Sequence, residues 1–193
     1  MSMEKGRIII SKKRFALTLK RLTHQLIERH DHFHNTCIIG LQPRGIHLSK
    51  RIFNRLKELL GPAVQIDYGL LDITFYRDDF RTRSKPLTAN ETKMDFIVEN
   101  KKVILVDDVL YTGRTVQSAL TALNHYGRPQ QVELLALVDR RFNRHLPIQS
   151  DYIGITVDAL DKAYVKVEWE DREGEDRILL FDEKSMINMK QPK

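Results

Sequence analysis

Cysteine is almost absent from this sequence. Cys37 is the only one in 193 residues, which excludes an internal disulfide framework and any multi-cysteine zinc site. Aromatic residues make up only 8%, with a single tryptophan, Trp169, which reads as packing in an alternating stretch. Long hydrophobic runs are missing as well. No apolar stretch approaches the roughly 20 residues that span a bilayer, and the amino terminus shows no apolar signal-peptide core. These absences predict a cytoplasmic protein. Two nucleotide-binding fingerprints are also lacking: there is no Gly-x4-Gly-Lys loop and no Gly-x-Gly-x-x-Gly turn. No internal repeat or low-complexity segment is present.

What is present points to a soluble α/β protein. Hydrophobic residues reach 41% and charged residues 30%, enough for a core and a solvated surface. The net charge is +6, a basic balance that suits phosphate-rich ligands, RNA included, and equally suits plain solubility. The length fits one domain, read as residues 1–183 with a frayed tail at 184–193. Residues 7–10 read as a short strand. Phe15, Leu19, Leu22 and Leu26 recur at helical spacing and predict a helix over 12–31. A buried strand at 37–41 is broken by Pro43-Arg44-Gly45. Leu48, Ile52, Leu56 and Leu59 then mark a second helix, which Gly61-Pro62 ends. Residues 64–75 read as one long strand. Residues 77–95 are polar and basic without periodicity, as expected of a mobile functional loop. Strands follow at 102–106, 132–138, 152–157, 163–169 and 177–182, with a helix after the first of these. This alternation predicts a mainly parallel central sheet with helices on both faces. The last strands either extend it or form a small cover at its ligand edge.

The most informative segment is Val103-Ile104-Leu105-Val106-Asp107-Asp108-Val109-Leu110-Tyr111-Thr112-Gly113-Arg114-Thr115. An apolar strand ends in two carboxylates, and a loop with hydroxyls, glycine and arginine leads into a helix. Ligands of open α/β sheets sit beyond the carboxyl ends of strands, and amides at a helix start attract phosphate. Asp107 and Asp108 can accept hydrogen bonds from neighbouring sugar hydroxyls. The order therefore suits a sugar phosphate. Three further segments fit the same chemistry. The turn from Gly40 to Gly45 offers amides and the charge of Arg44. The stretch from Asp72 to Asp79 opens the basic loop, with Arg77, Arg81, Arg83 and Lys85 available to cover a polyphosphate. Val138, Asp139 and Arg140 end another strand and are placed to face a base. His30, His32 and His34 alternate near a helix end but lack a complementary ligand set.

The motif at 103–115 resembles the phosphoribosyl pyrophosphate (PRPP) signature of type I phosphoribosyltransferases. Residues 71–79, 103–116, 137–140 and 146–154 resemble, in order, the pyrimidine-operon regulators of the PyrR family. Three segments depart from that family's pattern: Gln42-Pro43 before Arg44-Gly45, the stretch 141–145, and the stretch 155–160. The resemblance implies the type I phosphoribosyltransferase fold, with its small cover near the carboxyl-terminal edge. It implies transfer of ribose 5-phosphate from PRPP to uracil, giving UMP and pyrophosphate, and binding of pyrimidine-operon mRNA. It also implies a homo-oligomer, with a dimer favoured. Mg2+ is expected to bind mainly through PRPP, with Asp107 or Asp108 as its protein contact.

In that scheme Asp107 and Asp108 hold the ribose hydroxyls. Thr112, Gly113, Arg114 and Thr115 hold the 5-phosphate. Arg44 and Gly45 hold the pyrophosphate, supported by Arg77. Val138, Asp139 and Arg140 meet the base. Asp107, Asp108 and Arg77 form the catalytic set. Two alternatives stay open: a purine or other acceptor base, and an RNA-binding attenuator with little or no catalysis.

Overall fold

The computed structural model describes residues 6–77, 90–159 and 163–181. Most of the basic loop, residues 78–89, and the tail from 182 onward lie outside the described residues. Along the chain run β1 (Arg7–Ile10), α1 (Lys12–His30), β2 (Thr36–Leu41), α2 (Gly45–Leu60) and β3 (Asp67–Leu71). These are followed by a 3-10 turn (Thr74–Tyr76), β4 (Lys102–Leu110), α3 (Arg114–Leu123), a 3-10 turn (Asn124–Tyr126), β5 (Gln131–Arg140), β6 (Tyr152–Val157), β7 (Tyr164–Glu168), α4 (Glu170–Glu173) and β8 (Arg177–Phe181).

Five strands form a parallel sheet in the order β3-β2-β4-β5-β6. Continuous apolar runs such as Val103–Val106, buried on both faces, are what a parallel sheet requires. The buried stripes of α1 (Phe15, Leu19, Leu22, Leu26) and α2 (Leu48, Ile52, Leu56) pack with Ile38, Ile104 and Val106 on one face. On the other face Val116, Ala119, Ala122 and Leu123 of α3 pack with Cys37, Ile39, Val103 and Leu105. Odd and even residues of β2 and β4 thus divide between the two cores, as strand pleating dictates. The chain runs from β2 outward to β3, then returns to the other side of β2 as β4. This reversal between β2 and β4 is the switch point at which α/β sheets bind ligands.

A second sheet, antiparallel, has the order β1-β8-β7. It is the expected small cover, built not only from the last strands but also from the first. Trp169 fastens it to the helices. Its ring meets Phe15 of α1 edge-on at 5.3 Å, stacks on His47 of α2 at 5.5 Å and lies under Arg51 at 5.1 Å. Arg51 in turn pairs with Asp171 at 3.1 Å and Asp176 at 2.5 Å.

One expectation is corrected. The long strand over 64–75 ends at Leu71. The buried Asp72 carboxylate accepts from the Thr74 amide at 3.2 Å and the Thr74 hydroxyl at 2.7 Å, a local turn that competes with the extended chain. Its other oxygen accepts from the Asn90 amide at 3.2 Å, so one carboxylate ties both ends of the basic loop together. At the amino ends of the strands lies a buried polar cluster. Glu133 accepts from Arg29, Gln131 and Tyr152 and bonds His30. His30 is thereby engaged within the fold, whereas His32 and His34 are exposed.

Candidate active site

Asp107 and Asp108 close the carboxyl half of β4 and are 6% and 4% exposed. Being adjacent on a strand, they point to opposite faces. Asp107 lies on the α3 side, and its Oδ1 accepts from the Asp108 amide at 2.9 Å. Asp108 lies on the α2 side, where Arg44 Nε donates to its Oδ2 at 2.8 Å. Arg44 Nη1 also donates to the Tyr164 hydroxyl of the cover sheet at 3.3 Å. Burial, and then the charge of Asp108, push the Asp107 carboxyl above its ordinary value, with Arg44 and Arg77 opposing. Burial pushes Asp108 up too, against the pull of Arg44. Burial works against the Arg44 charge, but Asp108 and Tyr164 outweigh it and hold its pKa above the ordinary value.

Beyond the acids the chain turns through Tyr111, Thr112 and Gly113 into α3. Gly113 adopts the left-handed conformation (φ 90°, ψ −7°) immediately before the helix, a conformation that glycine accepts without a Cβ penalty. The Thr112 carbonyl accepts from the amides of His145 at 3.0 Å and Leu146 at 3.2 Å, which fixes the loop. The first turn of α3 carries no acidic side chain, and its amides have no acceptor within the helix. A cavity of about 480 Å3 opens here, lined by Arg77, Asp107, the segment Tyr111 to Thr115, and Ser118. It has the elements of an anion cradle: a helix start, four hydroxyl side chains and two guanidinium groups.

A second cavity of about 320 Å3 adjoins the first, with Arg77, Asp107, Val109, Tyr111 and Thr115 common to both walls. It runs past Asp108, Arg44 and the Gln42–Pro43 turn to Tyr164 and Val165 of the cover. Gly45 starts α2 against the β4 backbone. A Cβ there would stand 2.3 Å from the Val106 carbonyl oxygen, so glycine lets helix and strand meet beside the acids. Arg140 also lines this cavity, with its guanidinium stacked on the Tyr111 ring at 3.9 Å.

The structure thus brings Asp107, Asp108, Arg77, Arg44, Thr112, Gly113, Arg114, Thr115 and Arg140 around one pair of connected cavities, with Gly45 packed against the backbone of Val106 and Asp107 behind them. It does not bring Val138 there: that side chain is wholly buried in the core. Asp139 instead faces a separate cavity, where it pairs with Arg144. Of the three candidate base contacts, only the Arg140 side chain borders the acids. Sequence reasoning overlooked three residues. Tyr111 lies inside the motif and was discoverable as the aromatic between strand and loop. Arg144, which holds both Asp139 and the Tyr111 carbonyl, lies in a segment read only as a family departure. Tyr164 gives no local signal, because it reaches the site only through the cover sheet.

A family profile for the phosphoribosyl transferase domain matches residues 8–172. The chain belongs to that family. Among curated proteins, the bifunctional protein PyrR of Caldicellulosiruptor bescii is 40% identical over 178 residues, covering 92% of this chain and 96% of that protein. Its counterpart in Deinococcus radiodurans is 43% identical over 174 residues, covering 90% and 93%. In fold the chain resembles a hypoxanthine phosphoribosyl transferase of Trypanosoma cruzi, with a TM-score of 0.70, 13% identity and 98% of both chains covered. The Staphylococcus aureus hypoxanthine phosphoribosyltransferase gives a TM-score of 0.66 at 17% identity, covering 91% of this chain and 92% of that one. At those identities the likeness speaks for the fold alone. The chain is therefore a phosphoribosyltransferase of PyrR type, an enzyme of the pentosyltransferase class, with the parallel sheet and cover expected of type I members. Among the described residues no helix is long and apolar enough to cross a membrane.

Proposed function

We propose that this phosphoribosyltransferase transfers ribose 5-phosphate from PRPP to uracil, yielding UMP and pyrophosphate. The carrying observation is the juxtaposition of the Asp107-Asp108 pair with the anion cradle at the start of α3, in a chain related to PyrR proteins over nine-tenths of its length. A base nitrogen attacks the sugar C1 as pyrophosphate leaves, through a transition state with positive charge on the sugar ring. Such a reaction needs positioning and electrostatic complementarity more than a covalent nucleophile. Asp107 and Asp108 orient the ribose hydroxyls. The amides and hydroxyls of Thr112 to Thr115 grip the 5-phosphate. Arg44 and Arg77 face the pyrophosphate, and Arg140 borders the base.

The donor set fits a Mg2+ ion that arrives with PRPP. Among the described residues no cluster of three or more His, Cys, Asp or Glu could cage a metal, and Mg2+ is commonly held by few carboxylates plus phosphate oxygens. Asp107 or Asp108 would contact the ion, which supplies charge neutralisation to the pyrophosphate. The remaining elements of the proposal are a homodimer in the cytoplasm, one domain through residue 183, and regulatory binding of pyrimidine-operon mRNA.

The deciding assay is PRPP-dependent UMP formation with Mg2+, run beside a panel of purine and pyrimidine bases and scored by pyrophosphate release. Uracil should exceed every other base. Turnover on a purine alone would replace the acceptor, and no turnover on any base would leave only the regulatory half. Binding of the upstream leader RNA should strengthen with UMP and fall steeply with added salt, as phosphate contacts require.

A further inference from the structure

Arg44 is held from two sides before any ligand arrives. Asp108 accepts from its Nε and the Tyr164 hydroxyl from its Nη1. The backbone beneath it is fixed separately, because Gly45 abuts the Val106 carbonyl and begins α2. That anchoring does not decide where a long, half-exposed side chain points. A single contact at Nε leaves the guanidinium free to swing about Asp108. A second contact at Nη1 sets the plane of the fork. The N–H donors not used by these two bonds then remain for an anion in the cavity that Arg44 and Tyr164 both line.

Tyr164 is itself well placed to act as this second point. It stands on β7, 120 residues from Arg44 in sequence, and its ring packs on Phe181 of β8 at 6.2 Å. Its position is therefore set by the cover sheet and not by the pyrophosphate turn. A guanidinium oriented beforehand loses less freedom when it binds a ligand, and so binds it more tightly.

We propose that Tyr164 is a positioning residue for the leaving group: its hydroxyl aims the Arg44 fork at the pyrophosphate of PRPP, so the cover sheet organises the pyrophosphate side of the site. The proposal rests on the phosphoribosyl-transfer reading above. Tyr164 acts through Arg44, not on the base.

Tyr164→Phe tests it, since the variant removes the hydroxyl and keeps the ring against Phe181. Calorimetry with PRPP and Mg2+ should show an affinity about five-fold weaker, the loss of one ordinary hydrogen bond. The KM for PRPP should rise in step while the KM for uracil holds. In an Arg44→Gln background the same replacement should change nothing further, because the two residues share one interaction. Unchanged or tighter PRPP binding overturns the proposal. So does an equal loss in the Arg44→Gln background, or a rise confined to the KM for uracil. Wild-type protein with no affinity for PRPP would instead overturn the phosphoribosyl-transfer reading itself, and this proposal with it.

Discussion

Replacing each of the twin acids by asparagine should relieve burial at both positions but gain stability mainly at Asp107, although they are neighbours and almost equally buried. Asp107 accepts from the Asp108 amide at 2.9 Å, and the charges of Arg44 and Arg77 do not outweigh its burial. Burial and the adjacent carboxylate raise its pKa, so its ionised form costs the folded state free energy, about 1.4 kcal/mol per unit. Asparagine keeps the acceptor and removes the charge. Asp107→Asn should therefore stabilise the ligand-free protein by about 1–2 kcal/mol at pH 7.5. Asp108 is different, because its neutralisation deprives Arg44 of a charge-assisted bond worth about 1.5–3 kcal/mol. The relief of burial, which outweighs the pull of Arg44 in raising the Asp108 carboxyl, and the half-exposure of Arg44 offset that loss, so Asp108→Asn should stay within about 1 kcal/mol of the parent protein. At about 2–4 °C per kcal/mol for a chain of this size, Asp107→Asn should melt about 2–8 °C above Asp108→Asn.

The pH dependence has a definite sign. The Asp107 pKa is raised in the folded state, so acid protonates that carboxyl in the native protein first. The advantage of Asp107→Asn is therefore full above the raised value and fades as pH falls toward the ordinary carboxylate range. Calorimetric melting at pH 7.5 and pH 5 checks both points. An Asp108→Asn protein that melts at or above Asp107→Asn would refute the assignment of charges. Both variants should lose PRPP-dependent turnover.

Gly45→Ala places a Cβ 2.3 Å from the Val106 carbonyl oxygen and should cost about 1–3 kcal/mol, with a weakened PRPP affinity, read by melting and calorimetry. Gly113→Ala meets both a φ of 90° and a 3.3 Å approach to Ile148 and Leu146; PRPP affinity should fall more than the about 1–2 kcal/mol lost in stability, as titration of the folded variant would show. Glu133 is held below its ordinary pKa: burial opposes this, but Tyr152, Arg29 and His30 prevail. The stability it provides is present above the unfolded carboxyl pKa and is lost as acid takes the pH through the lowered folded value. Glu133→Gln should lose about 2–3 kcal/mol at pH 7 while turnover per folded molecule holds, since the cluster lies at the amino ends of the strands.

Much of this fold was legible because parallel strands announce themselves. The runs at Cys37–Leu41 and Val103–Val106 are apolar on both faces, and the stripes from Phe15 and Leu48 have helical period. The phosphate loop was legible for the same reason, since strand, acids, loop and helix lie within 13 consecutive residues. Residues 64–75 misled because apolar alternation continues past Leu71, whereas the Asp72–Thr74 side-chain bonds that end the strand are a local competition that periodicity does not register. Val138 misled differently. Val138 and Arg140 share one face of β5, but depth along the strand separates them: Val138 is buried in the core, whereas Arg140, the last residue, reaches the cavity. Tyr164 was beyond reach, because its approach to Arg44 exists only once β7 pairs with β8 and Trp169 packs the cover onto α1 and α2.

The Asp-Asp step explains how one strand can serve two halves of a substrate. Side chains at adjacent strand positions leave opposite faces of the sheet, so Asp107 borders the cradle beneath α3 while Asp108 meets Arg44 on the α2 side. A sugar spanning the strand end would then have its 5-phosphate toward one helix and its pyrophosphate toward the other. Two ionised, buried acids would repel such a polyanion. Here the proton-bearing form of Asp107 is favoured by burial and by its neighbour, and Asp108 is matched by Arg44. The same burial that raises both carboxyls therefore lowers the electrostatic barrier to the ligand, and the basic residues around them, Arg44, Arg77, Arg114 and Arg140, leave the net field of the site attractive to phosphate.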